Sequence, residues 1–418
     1  MKKLLIILLS TPHILLAQND VNNHSIEWNT NLLFESSSLD KSFLNTMIYG
    51  GHITDSIKTN WINSGGNNNN NNNNNVLYSE ISNGLKYTFE RNKSTFGFSF
   101  ADRNILNTSF SDDLLRLAFE GNFHYQNKIL DFGETSIRAD RFQQYTFTYR
   151  TSIKQVKVST SVSYLSGNHH LSYIIEKGSL YTAPFGTSLD IAYDMSAFAT
   201  DTASLNPFEN NGNGLSLGLS TEFQFKEHTI HLSFSDLGFI IWDPTSITLS
   251  ADSNFTFSAI EIEDIFSFND SLINENNIEN DVLRTNNESF KSYIPATFNF
   301  KFSGYGDYKY LNKYTLGIQG KWQPYLDNTP LSFKKIGQGF RESNFIPLYY
   351  IQSVYTAKYC DVITTLSHGG YSSNTNLGLA LSKGKKHNLT IGTYHLEDVL
   401  KSSKAQAVSI YFNIKLQF

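Results

Sequence analysis

The sequence predicts an all-β fold, an antiparallel transmembrane β-barrel of about fourteen strands. Three observations predict it. Charged residues make up only 17% of the 418-residue chain, while aromatics, mostly 32 Phe and 23 Tyr, reach 14%; soluble chains carry ~25% charge. Mean hydropathy is −0.31, so the apolar residues are interleaved with polar ones rather than pooled. From residue 77 onward apolar and polar positions alternate with period two, the spacing that sends successive side chains to opposite faces of a strand.

Residues 1–17, "MKKLLIILLSTPHILLA", read as an export signal. Lys2 and Lys3 form its basic start, Leu4 to Leu9 and Ile14 to Leu16 its apolar stretch, and Ala17 precedes the expected cleavage. Pro12 and His13 interrupt the stretch, which is too short for a spanning helix. Losing Lys2 and Lys3 takes the formal charge from −5 to −7. That balance speaks against a nucleic-acid partner, which needs a basic surface. No later run of ~18 apolar residues exists, so the remainder is soluble or a barrel.

Residues 18–76 are mixed. "IEWNTNLLF" (26–34) alternates poorly, Gly50-Gly51 signals a turn, and nine Asn at 67–75 form a low-complexity loop. The barrel is expected over 77–418, with 18–76 as an N-terminal segment.

Alternation is then clean. In "VKVSTSVSY" Val156, Val158, Val162 and Tyr164 share one face, and Lys157, Ser159, Ser161 and Ser163 the other. In "GLSLGLSTEFQFK" Leu215, Leu217, Leu219, Phe223 and Phe225 oppose Ser216, Gly218, Ser220, Glu222 and Gln224. Residues 298–302, 314–322 and 376–383 repeat the theme, with turn-rich spacers at 166–170, 211–214 and 382–388. A sandwich would sort charges in the same way. The barrel is favoured because the polar face is mostly Ser, Thr, Asn, Gln and Gly, whereas a soluble surface carries ~25–35% charge. Segment length agrees, since a tilted membrane crossing takes ~9–11 residues.

"FSDDLLRLAFEGN" (110–122) departs from the strand pattern. Ser111 is placed to cap a short helix, Asp112 and Asp113 suit its positive end, and Leu114, Leu117 and Ala118 share a face. Residues 261–290 are acidic and Asn-rich and read as a long solvated loop. "HLSFSDLGFIIWD" (231–243) breaks its own register: Leu232 and Phe234 are even, Leu237, Phe239 and Ile241 odd. One extra residue at Ser235-Asp236 restores the facing, which is a β-bulge. A strand end followed by a new segment gives the same pattern. As a bulge, Ser235, Asp236 and Gly238 form a candidate kink opening a side passage in the wall.

The chain closes on "AQAVSIYFNIKLQF" (405–418). Val408, Ile410, Phe412, Ile414, Leu416 and Phe418 are expected to face lipid, and Ser409, Asn413, Lys415 and Gln417 the lumen. This last strand must pair with the first, because an open edge cannot stand in lipid. Tyr411, Phe412 and Phe418 resemble the C-terminal aromatic signal read by barrel-assembly machinery.

Chemistry-bearing motifs are scarce. GxSxG, HExxH, phosphate-cradling Gly loops and CxxC are missing. His169-His170 read as turn residues, and the acidic loop lacks calcium-loop spacing. Cys360, the one cysteine, reads as a packed or lipid-facing small residue. The expectation is a protein that is not an enzyme, with no cofactor and no metal.

Asp236, Gly238, Phe239 and Trp242, with "FEGN" (119–122), "YLSG" (164–167) and "IPATFNF" (294–300), resemble a family of Bacteroidota outer-membrane proteins of unknown function. More distantly the chain resembles the long-chain fatty acid (FadL-like) transporters of the outer membrane. That resemblance implies fourteen strands, a kinked wall strand, and residues 18–76 and the 110–122 helix plugging the lumen. The Asn-Pro-Ala of those transporters has no counterpart near the start of the chain. The resemblance implies an outer-membrane channel for a hydrophobic small molecule, surrounded by outer-membrane lipid. The other reading is a scaffold tied to secretion or surface assembly that binds partner proteins through long loops.

Overall fold

Strand after strand pairs with its neighbour until the last meets the first. The structure, a computed structural model, describes the chain apart from residues 1–22, 51, 66–73, 201–205, 207, 259–283, 307–310, 325–332, 385 and 401–404. The export signal, nearly all of the Asn run and most of the acidic loop lie outside the described residues.

In chain order come β1 (Asn23–Ser36), β2 (Asn74–Arg91), β3 (Ser94–Ser111), β4 (Ile129–Asp131) and β5 (Thr135–Ile153). Next are β6 (Val156–Thr182), β7 (Ser188–Ala199), β8 (Gly212–Phe225), β9 (His228–Trp242) and β10 (Ile247–Ser258). Then follow β11 (Arg284–Asn287), β12 (Lys291–Tyr293), β13 (Ala296–Tyr305), β14 (Leu311–Trp322) and β15 (Ile346–Thr356). The last are β16 (Asp361–Gly370), β17 (Asn374–Lys383), β18 (Asn388–Thr393) and β19 (Ala407–Gln417).

Fourteen of these close an antiparallel barrel: β1, β2, β3, β5, β6, β8, β9 and β13 through β19. Closure runs along β1 and β19, from Ser25 opposite Gln417 to Glu35 opposite Ala407. Backbone bonds between His24 and Phe418 extend it to the last residue. The terminal strand is therefore paired on both sides, as its alternation requires. Ile410 and Leu416 are exposed on the outside, and Ser409 is buried within.

Residues 23–36 correct an expectation. They form a wall strand rather than a plug, because β1 is the partner that β19 needs. The poor alternation of "IEWNTNLLF" reflects its place at the seam. Trp28 and Leu32 face out, while Asn29 and Asn31 face in, opposite Gly84 and Ser82. The spacer expected at 166–170 is also strand. β6 runs 27 residues without a break and absorbs Asn168 as a bulge between Arg141–His169 and Phe142–Gly167. Cys360 lies in the tight connection from β15 to β16, not in a wall face.

The two rims differ. At one, pairs such as β2–β3, β5–β6 and β8–β9 join through two-residue turns in which Asn92, Lys154 and Lys226 take positive φ, the backbone hand that a tight hairpin favours. At the other rim the connections are long. β6, with 27 residues, is well over twice as long as the ~9–11 residues that a tilted membrane crossing needs. Its second half leaves the barrel and pairs with β7, which pairs in turn with β10, and β10 with β11. A sheet thus rises beyond the wall at the loop rim.

Outward files between the rims are apolar and bare. Phe98, Val162, Leu215, Leu217, Leu219, Phe234, Tyr349, Ile351 and Leu366 are each more than a third exposed. An apolar surface that wraps a closed barrel is a surface made for lipid. Near the loop rim that face is covered. Helices Lys41–Tyr49, Asp55–Gly65 and Asp112–Glu120 bury Trp61, Leu115 and Ile62 against the outward Phe34, Leu77 and Phe110. Ser111 caps the third helix as expected, accepting from the Leu114 N–H at 3.2 Å. A different short helix, Phe333–Glu342, helps close the lumen. Carbonyls at its C-terminal end accept from the inward-facing Arg138 and Asn107.

Candidate functional site

The register break at Ser235-Asp236 is a bulge in β9. Leu217 stands opposite Leu237 and Leu219 opposite Phe234, so Gly218 faces two residues, Ser235 and Asp236. Asp236 takes φ +60°, a left-handed conformation that Asp tolerates better than most residues. The bulge returns Leu237 and Ile241 to the lipid side, where both are half exposed. It also turns the Asp236 carboxylate into the lumen. There Oδ2 accepts from Arg103 Nη1 at 3.0 Å and Oδ1 from Gln144 Nε2 at 2.8 Å.

Gly238 is required beside it. A Cβ at 238 would stand 2.3 Å from Ser216 Cβ and 2.4 Å from the Leu215 carbonyl oxygen. Trp242, fully buried, donates from its indole to Ser292 Oγ at 2.8 Å. Its ring occupies the space that a Cβ at Gly167 would need. Asp236, Gly238 and Trp242 thus belong to one local device.

The bulge also interrupts the next ladder. β9 pairs with β13 from His228 to Ser235 and with β12 from Phe239 to Ile241. Between these stretches, Asp236–Gly238 faces Ile294–Ala296, bridged only by the Ile294 N–H to the Gly238 carbonyl at 3.2 Å. Pro295 at the centre has no N–H to give.

Arg103 on β3 is the hub of the lumen. Nη2 meets Glu80 Oε1 at 2.9 Å and Nη1 meets Asp236. Glu80 Oε2 accepts from the Tyr78 hydroxyl at 2.7 Å. That hydroxyl accepts in turn from Lys321 Nζ at 3.0 Å. The ammonium lies 4.4 Å from the Tyr78 ring and 5.1 Å from the Tyr371 ring. The two rings stack at 3.7 Å. Two cations thus balance two carboxylates in a region with little water, the condition under which buried charges are tolerated.

An apolar layer lies against this network. Ile105, Phe142, Leu165, Ile240, Trp242, Phe290, Ile294 and Tyr371 are buried together, with Phe345 and Leu33 against them. Among the described residues, the loop half of the lumen is closed by inward side chains, the helix Phe333–Glu342 and loop residues, while the helices within 41–65 and 112–120 pack on the outward face.

Two buried Ser–His–carboxylate sets hold that closure. Asp140 Oδ1 lies 2.7 Å from His170 Nδ1, and His170 Nε2 3.0 Å from Ser172 Oγ. Glu35 Oε1 lies 3.0 Å from His395 Nε2, and His395 Nδ1 2.9 Å from Ser409 Oγ. The first resembles a hydrolytic triad in its nitrogen assignment. Yet Ser172 is fully buried and the His170 ring packs beside Trp242 and Phe290. His169, its neighbour, points to the other face, as adjacent strand residues must. Among the described residues no group of three His, Cys, Asp or Glu side chains is placed to hold a metal ion.

The C-terminal aromatics divide by face. Tyr411 stacks inward on Tyr394 at 4.6 Å, Phe412 meets the outward Trp28 edge-on at 5.8 Å, and Phe418 is exposed at the turn rim. A groove of about 410 Å³ lined by Phe300, Leu316, Ile318, Tyr349, Ile351 and Leu366 lies on the outward face. Asp236 and Gly238 were legible in the sequence. Glu80, Arg103 and Tyr78 were not, because nothing local marks which inward polar residues meet across a lumen. Their one signal is charge in the polar register.

Several solved barrels are similar in outline. The toluene transporter TbuX of Ralstonia pickettii is 10% identical, with 96% of this chain and 90% of that chain covered and a TM-score of 0.41. The toluene transporter TodX of Pseudomonas putida is 6% identical over 98% and 91%, with a TM-score of 0.39. The translocator domain of the autotransporter NalP from Neisseria meningitidis is 6% identical over 100% and 95%, with a TM-score of 0.33. The activities in those names belong to those proteins, and the fold stands on the strand register given above. No curated protein matches the chain. A family model does match, over residues 12–393, and the chain belongs to the family of unknown function DUF5723.

Proposed function

We propose that this protein is an outer-membrane barrel that passes small hydrophobic molecules sideways through its wall. The observation that carries this reading is the broken ladder at Asp236–Gly238 opposite Ile294–Ala296. The axial route is closed at the loop half by the apolar layer and the Arg103 network. A molecule dissolved among lipid tails meets the exposed Phe234 and Leu237 at the break; the Asp236–Arg103 pair and Ile294 of the closing layer stand directly behind it, at the boundary with the turn half of the lumen. The export signal and the C-terminal aromatics support an outer-membrane address, reached through barrel-assembly machinery. The role is non-enzymatic.

Uptake of a graded series of labelled hydrocarbons by cells with and without the protein tests the reading. Faster uptake with the protein, reduced by Gly238→Val, is the expected result. Equal uptake across the whole series overturns it.

A second reading has its own observation. The sheet of β7, β10 and β11 beyond the wall, together with the closed lumen, is what a surface scaffold for partner proteins would present. Cross-linking of tagged protein in intact cells tests it. A reproducible partner alongside unchanged uptake favours the scaffold.

A further inference from the structure

The outward face of the wall changes character at one level on three neighbouring strands. Rising from the turn rim, Phe96, Phe98 and Phe100 of β3 lie against Tyr149, Phe147 and Tyr145 of β5, with ring centroids 5.3, 5.2 and 5.2 Å apart. Tyr164 of β6 continues the file beside Tyr145. The next outward pair is Asp102 and Gln143, joined by a 3.0 Å hydrogen bond from the Gln143 amide. Above it Asn104, Arg141 and His169 stand opposite one another in a single row across β3, β5 and β6. Arg141 Nη2 meets Asp102 Oδ2 at 3.4 Å, and both side chains are about a third exposed.

A recess of about 390 Å³ opens over this row. Asn104, Arg141 and His169 supply its polar lining, and Leu106, Ala139 and Leu171 its apolar lining on the loop side. Leu106 in turn packs against the helices that cover the loop rim. The Asn104 and His169 side chains make no hydrogen bond among the described residues. Directly opposed strand residues have Cβ atoms about 5 Å apart, so Arg141 and His169 can hold one tetrahedral group between them. Aromatic residues that give way to polar ones on a lipid-facing wall mark where hydrocarbon ends and headgroups begin. A half-exposed ion pair contributes little to stability, so folding does not account for Asp102 and Arg141 on this face. Asp102 already balances the Arg141 charge, so a plain anion gains little here. A headgroup that carries both a phosphate and an ammonium meets both charges.

We infer that this recess binds the headgroup of a zwitterionic bilayer phospholipid of the phosphatidylethanolamine class, with its phosphate on Arg141 and His169 and its ammonium on Asp102. The two-carbon link between those groups lets them lie on adjacent side chains, while the acyl chains run down the aromatic files of β3 and β5 into the hydrocarbon. The inference rests on the membrane setting of the proposed function but not on hydrocarbon passage, so its test and the uptake test fail separately.

Native mass spectrometry of the purified full chain tests it, with release from detergent micelles that carry equal amounts of phosphatidylethanolamine, phosphatidylcholine and phosphatidylglycerol. The wild type is expected to retain phosphatidylethanolamine several-fold over the other two. Phosphatidylglycerol lacks the ammonium, and the quaternary ammonium of phosphatidylcholine has no N–H to donate. Arg141→Gln should weaken retention about tenfold, the loss of one charged contact. Asp102→Asn should abolish the preference over phosphatidylglycerol. Asp102→Asn with Arg141→Gln removes both charges while keeping side-chain size, and should abolish retention. Lys358→Gln, in an exposed turn, should change nothing. Heat-modifiable gel migration of each variant establishes that its barrel is closed. Equal retention of the three lipids by the wild type, stronger retention of phosphatidylglycerol, or an unchanged preference in the double variant overturns the inference.

Discussion

Lys321 donates to the Tyr78 hydroxyl across 3.0 Å, although β14 and β2 stand seven places apart in a ring of fourteen strands. Opposite walls of the barrel therefore touch at this level. The contact is a hydrogen bond between an ammonium and a phenol already held by Glu80, so it draws its strength from the whole network. Lys321→Met removes the cation and leaves the Tyr78–Glu80 pair with Arg103 alone. Planar-bilayer recordings are expected to show larger and more frequent conductance steps than the wild type. An unchanged closed state would show that the apolar layer is sufficient by itself.

Arg103 serves two carboxylates, and its loss is predicted to be severe. Arg103→Met leaves Asp236 without a cation and Glu80 with Lys321 alone at 3.9 Å, a change that costs about 3–5 kcal/mol where a buried pair is broken. Urea unfolding in detergent, followed by gel migration, measures it. Replacing Arg103, Glu80, Asp236 and Lys321 together by apolar residues should restore most of the loss, because no member of the network then remains charged and unpaired.

Gly238→Ala should destabilise the barrel by about 1–3 kcal/mol, the usual result of forcing atoms into filled space. The clash is with Ser216 Cβ and the Leu215 carbonyl, so the paired change Ser216→Gly relieves only the first part. A midpoint shift in the same urea assay reads both variants.

Leu217→Lys and Ser220→Lys differ by face on the same strand. Leu217 is exposed to lipid, where a central lysine costs ~2–4 kcal/mol, while Ser220 faces the lumen opposite Ser159. Folding yield into lipid vesicles should fall for Leu217→Lys and hold for Ser220→Lys. The opposite ranking would mean that the faces are reversed.

Glu35 bonds the Tyr371 amide at 3.0 Å and His395 Nε2 at 3.0 Å. Through Tyr371 it reaches the stacked ring against Tyr78. Glu35→Ala should raise hydrogen exchange at the Tyr371 amide, and at His395 as its loop loosens, with little change at the turn rim. Unaltered exchange at Tyr371 would remove Glu35 from the closing device.

Much of the molecule was legible before any coordinates. Alternation in "GLSLGLSTEFQFK" states which of Leu217 and Ser216 meets lipid, because a strand has only two faces. The parity flip at Ser235-Asp236 states that a residue is extra, since no other arrangement keeps both Phe234 and Leu237 outside within one strand. The terminal alternation states that β19 is paired to its end. Residues 23–36 escaped this logic, because a seam strand with Asn29 and Asn31 inside carries too little contrast. The spacer expected at 166–170 failed for a related reason: Gly167 and Asn168 look like turn residues, yet one makes room for Trp242 and the other sits in a bulge.

Tertiary structure alone decided which inward residues meet. Lys321, Tyr78, Arg103 and Asp236 come from four strands spread over more than two hundred residues, and period two says only that each points inward. Ring closure and strand stagger set their heights along the lumen. Facing is a local property of the chain and can be read from neighbours in sequence. Contact across a lumen depends on how the whole sheet closes, and no short stretch encodes it.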